Sequence, residues 1–476
     1  TLERLTRRPI ALIAIDEAHC VSAWGHEFRP EYRGLARLAQ AFPGVPRIAL
    51  TATADPRTRA DILAALELTD AAVFTASFHR ANLYLAAQAK EGETRELLEF
   101  LRDRTGQAGI VYCGSRAKTE RVAQRLQEKG FAAVGFHAGL SALEKRVGLN
   151  RFRSGEPVIV VATIAFGMGI DRPDVRFVVH LDMPDSPEAY YQQIGRAGRD
   201  GERADTLLLY GGEDIARARY FLGQSGAPEA QRRVMRERLE AMITLTETTA
   251  CRTRALLACF GEELGRDCGH CDNCVAPVGT FDGTVAAQKV LSAIYRTGQM
   301  FGALHIISVL RGETTPMVAK HGHERLPTFG VGRDRPPTFW RGVIRQLIAR
   351  GALQTGSGEY ASLMLVPEHA RPILRSETQV MLREDRARPA AKRDRAAPAP
   401  VAVPGEGGPL FEALRQWRSA EARRQSVPPY LIFHDSVLRE IATSRPRTLE
   451  ELGAMRGVGA SKLERYGAAV LAVLAE

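Results

Sequence analysis

Ile10-Ala11-Leu12-Ile13-Ala14-Ile15-Asp16-Glu17-Ala18-His19 is the stretch on which the fold of this chain turns. Six apolar residues that empty into polar ones read as a strand buried on both faces of a parallel sheet. Acidic residues at the carboxyl end of such a strand stand where α/β sheets bind their ligands. Two adjacent carboxylates there divide the labour of phosphoryl transfer: Asp16 holds Mg²⁺ through water, and Glu17 orients an attacking water, with His19 closing the tetrapeptide. Leu50-Thr51-Ala52-Thr53-Ala54 follows a second strand, 47–50, so its hydroxyls are expected in the same cleft, coupling a nucleotide site to a neighbouring lobe. No Gly-x-x-x-x-Gly-Lys-[Ser/Thr] phosphate loop occurs in the 476 residues, so the chain is expected to begin inside a catalytic domain.

Working outward, strand and helix keep alternating. Residues 109–113, 132–136, 157–161 and 177–179 read as strands, and 31–42 and 115–129 as helices, the second closed by Gly130. Ser141-Ala142-Leu143-Glu144 matches a capping box that opens a further helix. Such βαβ alternation implies an α/β fold with a parallel sheet and right-handed crossovers. From 212 to 279 the pattern turns helical and ends in cysteines. Residues 280–382 contain helices and a glycine-tipped hairpin at 351–360. The stretch 383–408, rich in Arg, Ala, Pro and Gly, reads as an uncollapsed tether before a helical module at 409–476.

A net charge of +10 and a pI near 9.4 favour an anionic partner, most simply nucleic acid. No apolar run reaches the length of a membrane span, and no secretory signal stands near Thr1. Cys20 and Cys113 stand alone, as reduced thiols of a cytosolic protein do.

Three segments carry more specific chemistry. In Gln192-Gln193-Ile194-Gly195-Arg196-Ala197-Gly198-Arg199, the glycines admit close backbone approach, and Arg196 and Arg199 are expected on one helical face. Guanidinium groups span phosphate oxygens and neutralise developing charge, so these arginines would complete a site begun by the first unit, with ATP closing the two together. Cys268-Gly269-His270-Cys271-Asp272-Asn273-Cys274 has the thiol spacing of a zinc knuckle; spacing alone leaves Cys251, Cys259 or His270 as fourth ligand. Residues 338–350 form an amphipathic helix whose apolar face is Trp340, Val343, Ile344, Leu347 and Ile348, with Arg341 and Arg345 outside it. A hairpin follows at once, which is winged-helix order. Near the carboxyl end, Arg456-Gly457-Val458-Gly459-Ala460-Ser461-Lys462 exposes backbone N–H groups at a helix start, a phosphate site or a plain turn. Tyr430 and Phe433 fit a core or a DNA contact equally.

The tetrapeptide Asp16-Glu17-Ala18-His19, Thr51-Ala52-Thr53, Ala162-Thr163-Ile164-Ala165-Phe166-Gly167-Met168-Gly169-Ile170-Asp171 and the Gln192-to-Arg199 run together resemble a superfamily 2 helicase. Cys20-Val21-Ser22-Ala23-Trp24-Gly25-His26-Glu27-Phe28-Arg29-Pro30 narrows the resemblance to the RecQ family, and it extends over essentially the whole chain. The family's amino-terminal segment, with its adenine-reading glutamine and phosphate-loop lysine, has no counterpart. The resemblance implies part of a first RecA-like lobe (1–79), a complete second lobe (80–211), a helical zinc-binding module (212–279), a winged helix (280–382), a linker (383–408) and a small all-α HRDC-type domain (409–476). It further implies that Arg199 is an arginine finger and Arg196 a second phosphate contact. Thr51, Thr53, Gly169, Asp171 and Gln192 would couple ATP to motion, and Trp24, His26, Phe28 and Arg29 would hold a single strand, since flat rings stack on any base. Cys251 becomes the fourth ligand of a structural Zn²⁺, Cys259 a small core residue, Tyr360 the wedge at the wing tip, and Lys462 a DNA contact. The implied activity is ATP-dependent 3′–5′ DNA unwinding in repair and recombination, with Mg²⁺ accompanying ATP. The implied partners are single-stranded and forked DNA and a single-strand-binding protein, in the cytoplasm at the nucleoid. The rival expectation is a non-catalytic DNA-binding or annealing fragment.

Overall fold

A computed structural model of the chain describes residues 9–22, 29–164, 166, 172–355, 362–385, 409–425, 427, 429–455 and 457–475. Strands β1 (Ile13–Ile15) and β2 (Arg47–Ala49) pair in parallel, Ile13 opposite Arg47. Helix Pro56–Ala65 starts where Asp55 accepts the Thr58 N–H at 2.6 Å, and it covers one face of the pair with Ile62 and Leu66 against Ile15 and Val21. The other face is open, with Ile48 and Leu50 exposed, so the expected burial on both faces is corrected to one. The helix expected at 31–42 is also broken, into Pro30–Arg33, a 3₁₀ turn Gly34–Ala36 and Arg37–Ala41. Gly34, a poor helix former, sits at the break.

The second unit is a six-stranded parallel sheet of β3 (Leu83–Ala89), β4 (Ala108–Tyr112), β5 (Ala133–Phe136), β6 (Ile159–Ala162), β7 (Val175–His180) and β8 (Ala204–Tyr210), in the order β3-β8-β7-β4-β6-β5. The central strands bury both faces: Ile110, Val111, Val160, Val161, Val178 and Val179 are at most 1% exposed, which is why they read as unbroken apolar runs. Helices Glu93–Leu101 and Arg116–Glu128 cover one side. The capping box forms as expected, Ser141 N–H donating to Glu144 at 2.8 Å and Glu144 N–H to Ser141 Oγ at 3.3 Å.

An edge strand with unpaired backbone groups invites unwanted pairing. At β3 the edge is closed by side chains: Asp272 accepts the Ala87 N–H at 3.1 Å, and Arg252 donates to the Ala87 carbonyl at 3.3 Å. These two residues pair with each other at 2.6 Å and both belong to the cysteine-bearing segment, which is thereby docked on the sheet.

Beyond it, β9 (Thr280–Asp282) pairs antiparallel with a strand at the far end of the winged-helix unit. In between, β10 (Leu353–Thr355) and β11 (Leu363–Leu365) form the expected hairpin, whose tip, with Tyr360, lies outside the described residues. The partner of β9 is β12 (Met381–Arg383). Helix Pro337–Ala349 buries Trp340, Val343, Ile344, Leu347 and Ile348 as its periodicity indicates, and leaves Arg341 exposed. Arg345 departs from that reading: it is only 5% exposed, because a second layer of charged groups packs over the helix. Helices Pro409–Gln425, Asp435–Ser444, Leu449–Gly453 and Ala460–Ala475 enclose a separate core of Leu414, Phe433, Leu438, Ile441, Leu452 and Val470. Phe433 is thus a core residue; the Tyr430 side chain lies outside the described set. Among the described residues no helix is long and apolar enough to cross a membrane.

Candidate active site and zinc centre

Asp16 and Glu17 emerge from the carboxyl end of β1. Asp16 is exposed, with its Oδ1 accepting the Glu17 N–H at 2.8 Å; Glu17 takes a left-handed φ of 50° that turns the chain into the 3₁₀ segment Ala18–Val21. His19, 1% exposed, lies 3.4 Å from the Glu17 carboxylate and 3.0 Å from Thr51 Oγ1, through the same Nδ1. Thr51 Oγ1 in turn donates to the Thr53 carbonyl at 3.1 Å. Gln192 Nε2, from the second unit, donates to Thr53 Oγ1 at 3.0 Å. A continuous polar chain thus runs from the paired acids across the gap between the two α/β units. Sequence reasoning had these residues sharing one cleft; the geometry brings Glu17, His19, Thr51, Thr53 and Gln192 together.

Arg196 and Arg199 do not share a helical face. Helix Pro187–Ile194 stops before them, and both lie in the turn that follows. Gly198 is the reason: its φ is +58°, and a Cβ there would meet the Asn82 amide at 2.5 Å and the Glu202 carbonyl at 2.7 Å. The turn is held from outside, Arg80 Nη2 donating to the Gly198 carbonyl at 2.8 Å and Asn82 Nδ2 to the same oxygen at 2.8 Å. Arg196 is half-buried and Arg199 exposed.

Behind the arginines stands a group of residues that the motif spacing does not announce. Tyr112, at the end of β4, hydrogen-bonds Arg196 and donates to the Phe166 carbonyl at 3.1 Å. Burial raises its pKa, opposed by Arg196 and Arg199. Its ring stacks on His180 at 5.2 Å, and His180 Nε2 meets Gln193 Oε1 at 2.7 Å. Burial pushes the His180 pKa down to about 4, so the imidazole is neutral and its Nε2–H is the donor. Only a buried tyrosine in an apolar run marks this in the sequence.

Gly169, Asp171, Trp24, His26 and Phe28 lie outside the described residues. Arg29 is described, its backbone N–H donating to the Cys20 carbonyl at 2.9 Å. Lys462 is in the separate terminal module, its ammonium 5.4 Å from the centre of the Phe433 ring. A cleft of about 550 Å³ opens between that module and the second unit, lined in part by Arg153, Arg172, Arg415 and His434; none of the residues above lines it.

Cys251, Cys268, Cys271 and Cys274 place their sulfurs within 4.8 Å of one another. Cys268 and Cys274 are 3.9 Å apart and Cys271 and Cys274 3.4 Å, close to the roughly 3.8 Å spacing that sulfurs at about 2.3 Å from a tetrahedral zinc require. Backbone N–H groups point at the sulfurs, Cys268 N at Cys251 Sγ (3.3 Å), Cys271 N at Cys268 Sγ (3.3 Å) and Arg252 N at Cys271 Sγ (3.4 Å), a donor set suited to thiolates. Cys251 sits at the amino end of helix Arg252–Ala258. Cys259 is half-buried and outside the quartet, its thiol raised to about 11 by burial, and His270 turns its Nδ1 to the Cys268 carbonyl at 2.8 Å. Four sulfurs fill a tetrahedral ion, so the zinc is structural.

A parallel sheet ending in an arginine turn, joined through Gln192 to a second unit that carries paired acids, is the architecture of a nucleotide-driven motor of the helicase class. A family model of the helicase conserved C-terminal domain matches residues 92–201, one of RecQ zinc-binding 212–275, an RQC domain 277–391 and an HRDC domain 408–474. The chain is 41% identical over 458 residues to an ATP-dependent DNA helicase RecQ of Pasteurella multocida, covering 96% of this chain and 72% of that protein. It is 41% identical over 469 residues to the Haemophilus influenzae protein of the same name (98% and 75%), and 35% identical over 459 residues to that of Bacillus subtilis (96% and 75%). The chain belongs to the RecQ family.

Proposed function

We propose that this chain carries the motor and DNA-handling parts of an ATP-dependent DNA helicase that moves 3′ to 5′ along one strand and serves DNA repair and recombination, in the cytoplasm at the nucleoid. The observation that carries this reading is the hydrogen bond from Gln192 to Thr53, which joins the acid-bearing unit to the arginine-bearing one. The relatives' name, ATP-dependent DNA helicase, supports both the nucleotide and the DNA. Asp16 is the residue to hold the Mg²⁺ that accompanies ATP, which neutralises phosphate charge when bound. Glu17 orients the attacking water, and His19 fixes Glu17 relative to Thr51. Arg199 meets the charge that develops on the transferred phosphoryl group and Arg196 a second phosphate. Thr51, Thr53, Gln192, Gly169 and Asp171 couple closure to nucleotide, and Trp24, His26, Phe28 and Arg29 hold the single strand. Lys462 and the wing with Tyr360 engage DNA beyond, and a single-strand-binding protein is the expected protein partner.

The test is unwinding of forked DNA with ATP by a protein carrying this chain behind a phosphate-loop segment. Gln192→Ala is expected to lower unwinding about ten-fold or more, given hydrogen-bonded coupling across the lobes. Equal unwinding of RNA duplexes would reject the DNA assignment. A second reading, a DNA-binding or annealing fragment, rests on the zinc-binding, RQC and HRDC units that follow the second lobe. On both readings the purified chain alone hydrolyses ATP at background; DNA-stimulated turnover by it contradicts that.

A further inference from the structure

Residues 71–82 join the two α/β units, running in no helix or strand as far as β3. The last of them do more than connect. Arg80 Nη2 donates to the carbonyls of Ala197 at 3.1 Å and Gly198 at 2.8 Å, and Asn82 Nδ2 donates to those of Gly198 and Glu202, both at 2.8 Å. Arg80 Nε reaches back to Asn82 Oδ1 at 3.3 Å, so the two side chains hold each other in place. The Asn82 carbonyl accepts the Ala204 N–H at 3.0 Å, where β8 begins. Earlier in the same segment, the Phe78 carbonyl accepts the hydroxyl of Tyr191, on the helix that leads into the arginine turn, at 2.8 Å.

A turn that leaves a helix loses the ladder that would fix its peptide groups, and each buried carbonyl then needs another donor. On the N–H side the lobe supplies the partners itself: Ala197 N–H donates to the Ile194 carbonyl at 3.0 Å and Gly198 N–H to that of Val175 at 2.9 Å. On the carbonyl side Arg80 and Asn82 supply them, with the Gly201 N–H adding one bond to Gly198 at 3.1 Å. Ala197 and Gly198 are buried, so water does not replace a lost donor there. The two carbonyls that Arg80 spans belong to the peptide planes lying between Arg196 and Arg199. A planar guanidinium nitrogen with two N–H groups in fixed directions sets both planes at once, which a freely rotating ammonium does not.

We propose that Arg80 and Asn82 are positioning residues for the arginine pair: from the segment that joins the two units they hold the peptide planes between Arg196 and Arg199 and so set where both guanidinium groups stand. The consequence for phosphoryl transfer rests on the helicase reading above: a loosened turn still admits the nucleotide but leaves Arg199 away from the charge that develops on the transferred group.

The full chain tests this grip without any activity, by hydrogen exchange followed by mass spectrometry. In Arg80→Lys and in Asn82→Ala, amides of residues 197–203 should exchange about ten-fold or more faster, while those of β7 keep their native rate and zinc content is unchanged. Native exchange of the turn in both variants overturns the proposal, as does acceleration of turn and β7 in step. Arg80→Lys keeps the test open if Asn82→Ala misfolds. In the intact helicase, Arg80→Lys should lower kcat for ATP about ten-fold or more, with KM for ATP within about two-fold of native. In an Arg199→Ala background the same substitution should lower kcat by less than about two-fold further, because a residue that acts through Arg199 has nothing left to place. An equal loss in that background, or a raised KM with kcat unchanged, overturns the positioning role. A native protein that hydrolyses no ATP rejects the helicase reading alone and leaves the exchange result standing.

Discussion

Gly109 lies in the middle of β4, where a Cβ would come within 2.0 Å of the Phe177 ring on the neighbouring β7. Phe177 is itself fully buried and cannot swing out. Gly109→Ala is therefore expected to destabilise the second lobe by about 1–3 kcal/mol through overpacking, although alanine suits a strand better than glycine does elsewhere. Urea unfolding followed by tryptophan-independent far-UV signal measures it, and an unchanged midpoint would mean that β4 and β7 can separate at no cost. The sequence at this position shows only a glycine in an apolar run; the constraint comes from a residue on another strand. Arg345 teaches the same lesson from the opposite side. Helical periodicity identifies its helix's apolar face correctly, but it carries no information about Glu247 and Asp385, which bury the other face. The zinc ligands were legible to the extent that they are local: three cysteines at spacing three declare themselves, whereas Cys251 needed the family resemblance because nothing in spacing separates it from Cys259.

At the scale of elements, the strands of the second lobe are readable because burial on both faces leaves a continuous apolar run, while the arginine turn departs from the helix its spacing suggests because the helix ends at Ile194 and Gly198 takes a positive φ. One pairing of elements that no local pattern announces is that of helix Ala303–Arg311 with the 3₁₀ turn His323–Arg325. His305 Nε2 and His323 Nδ1 are 2.8 Å apart, and Phe301 stacks on His305 at 4.1 Å. Burial, then the neighbouring His323 and His321, pushes the His305 pKa down to about 4; burial and His321 lower that of His323, against a small upward pull from Glu324. The unfolded chain therefore binds protons in a range where the folded one does not. The contribution is fully present above the ordinary histidine value near 6.5 and is lost as pH falls from there towards about 4. The melting temperature of the winged helix should fall between about pH 7.5 and about pH 5, and His305→Phe should flatten that slope. A variant with the native slope would show that the pair does not govern it.

At the scale of the whole molecule, two kinds of attachment coexist. The terminal helical module has its own core, from Leu414 to Val470, and meets the second lobe through an Arg439–Glu202 ion pair at 2.6 Å and through Pro429 against Gly155. The winged helix, in contrast, shares its core with the lobe and the zinc module. Composition alone places the start of the tether at 383, yet β12 runs through Arg383 and Asp385 holds Arg345, so the folded unit extends past that point. Two shortened chains separate these attachments. Ending the chain at residue 390 removes the terminal module and keeps every contact of β12; zinc content and the main melting transition should be those of the full chain, because a single exposed ion pair contributes about 0–1 kcal/mol. Ending it at residue 379 removes β12 and Asp385, and with them the two bonds between Gln346 and the Arg383 backbone at 2.8 and 3.0 Å. Arg345 then keeps Glu247 but loses its second carboxylate in a buried site, a loss on the order of 3–5 kcal/mol. The melting transition should drop sharply for the chain ending at 379 and hold for the chain ending at 390. Equal behaviour of the two would place the end of the winged-helix unit before β12 and leave Asp385 without a structural part.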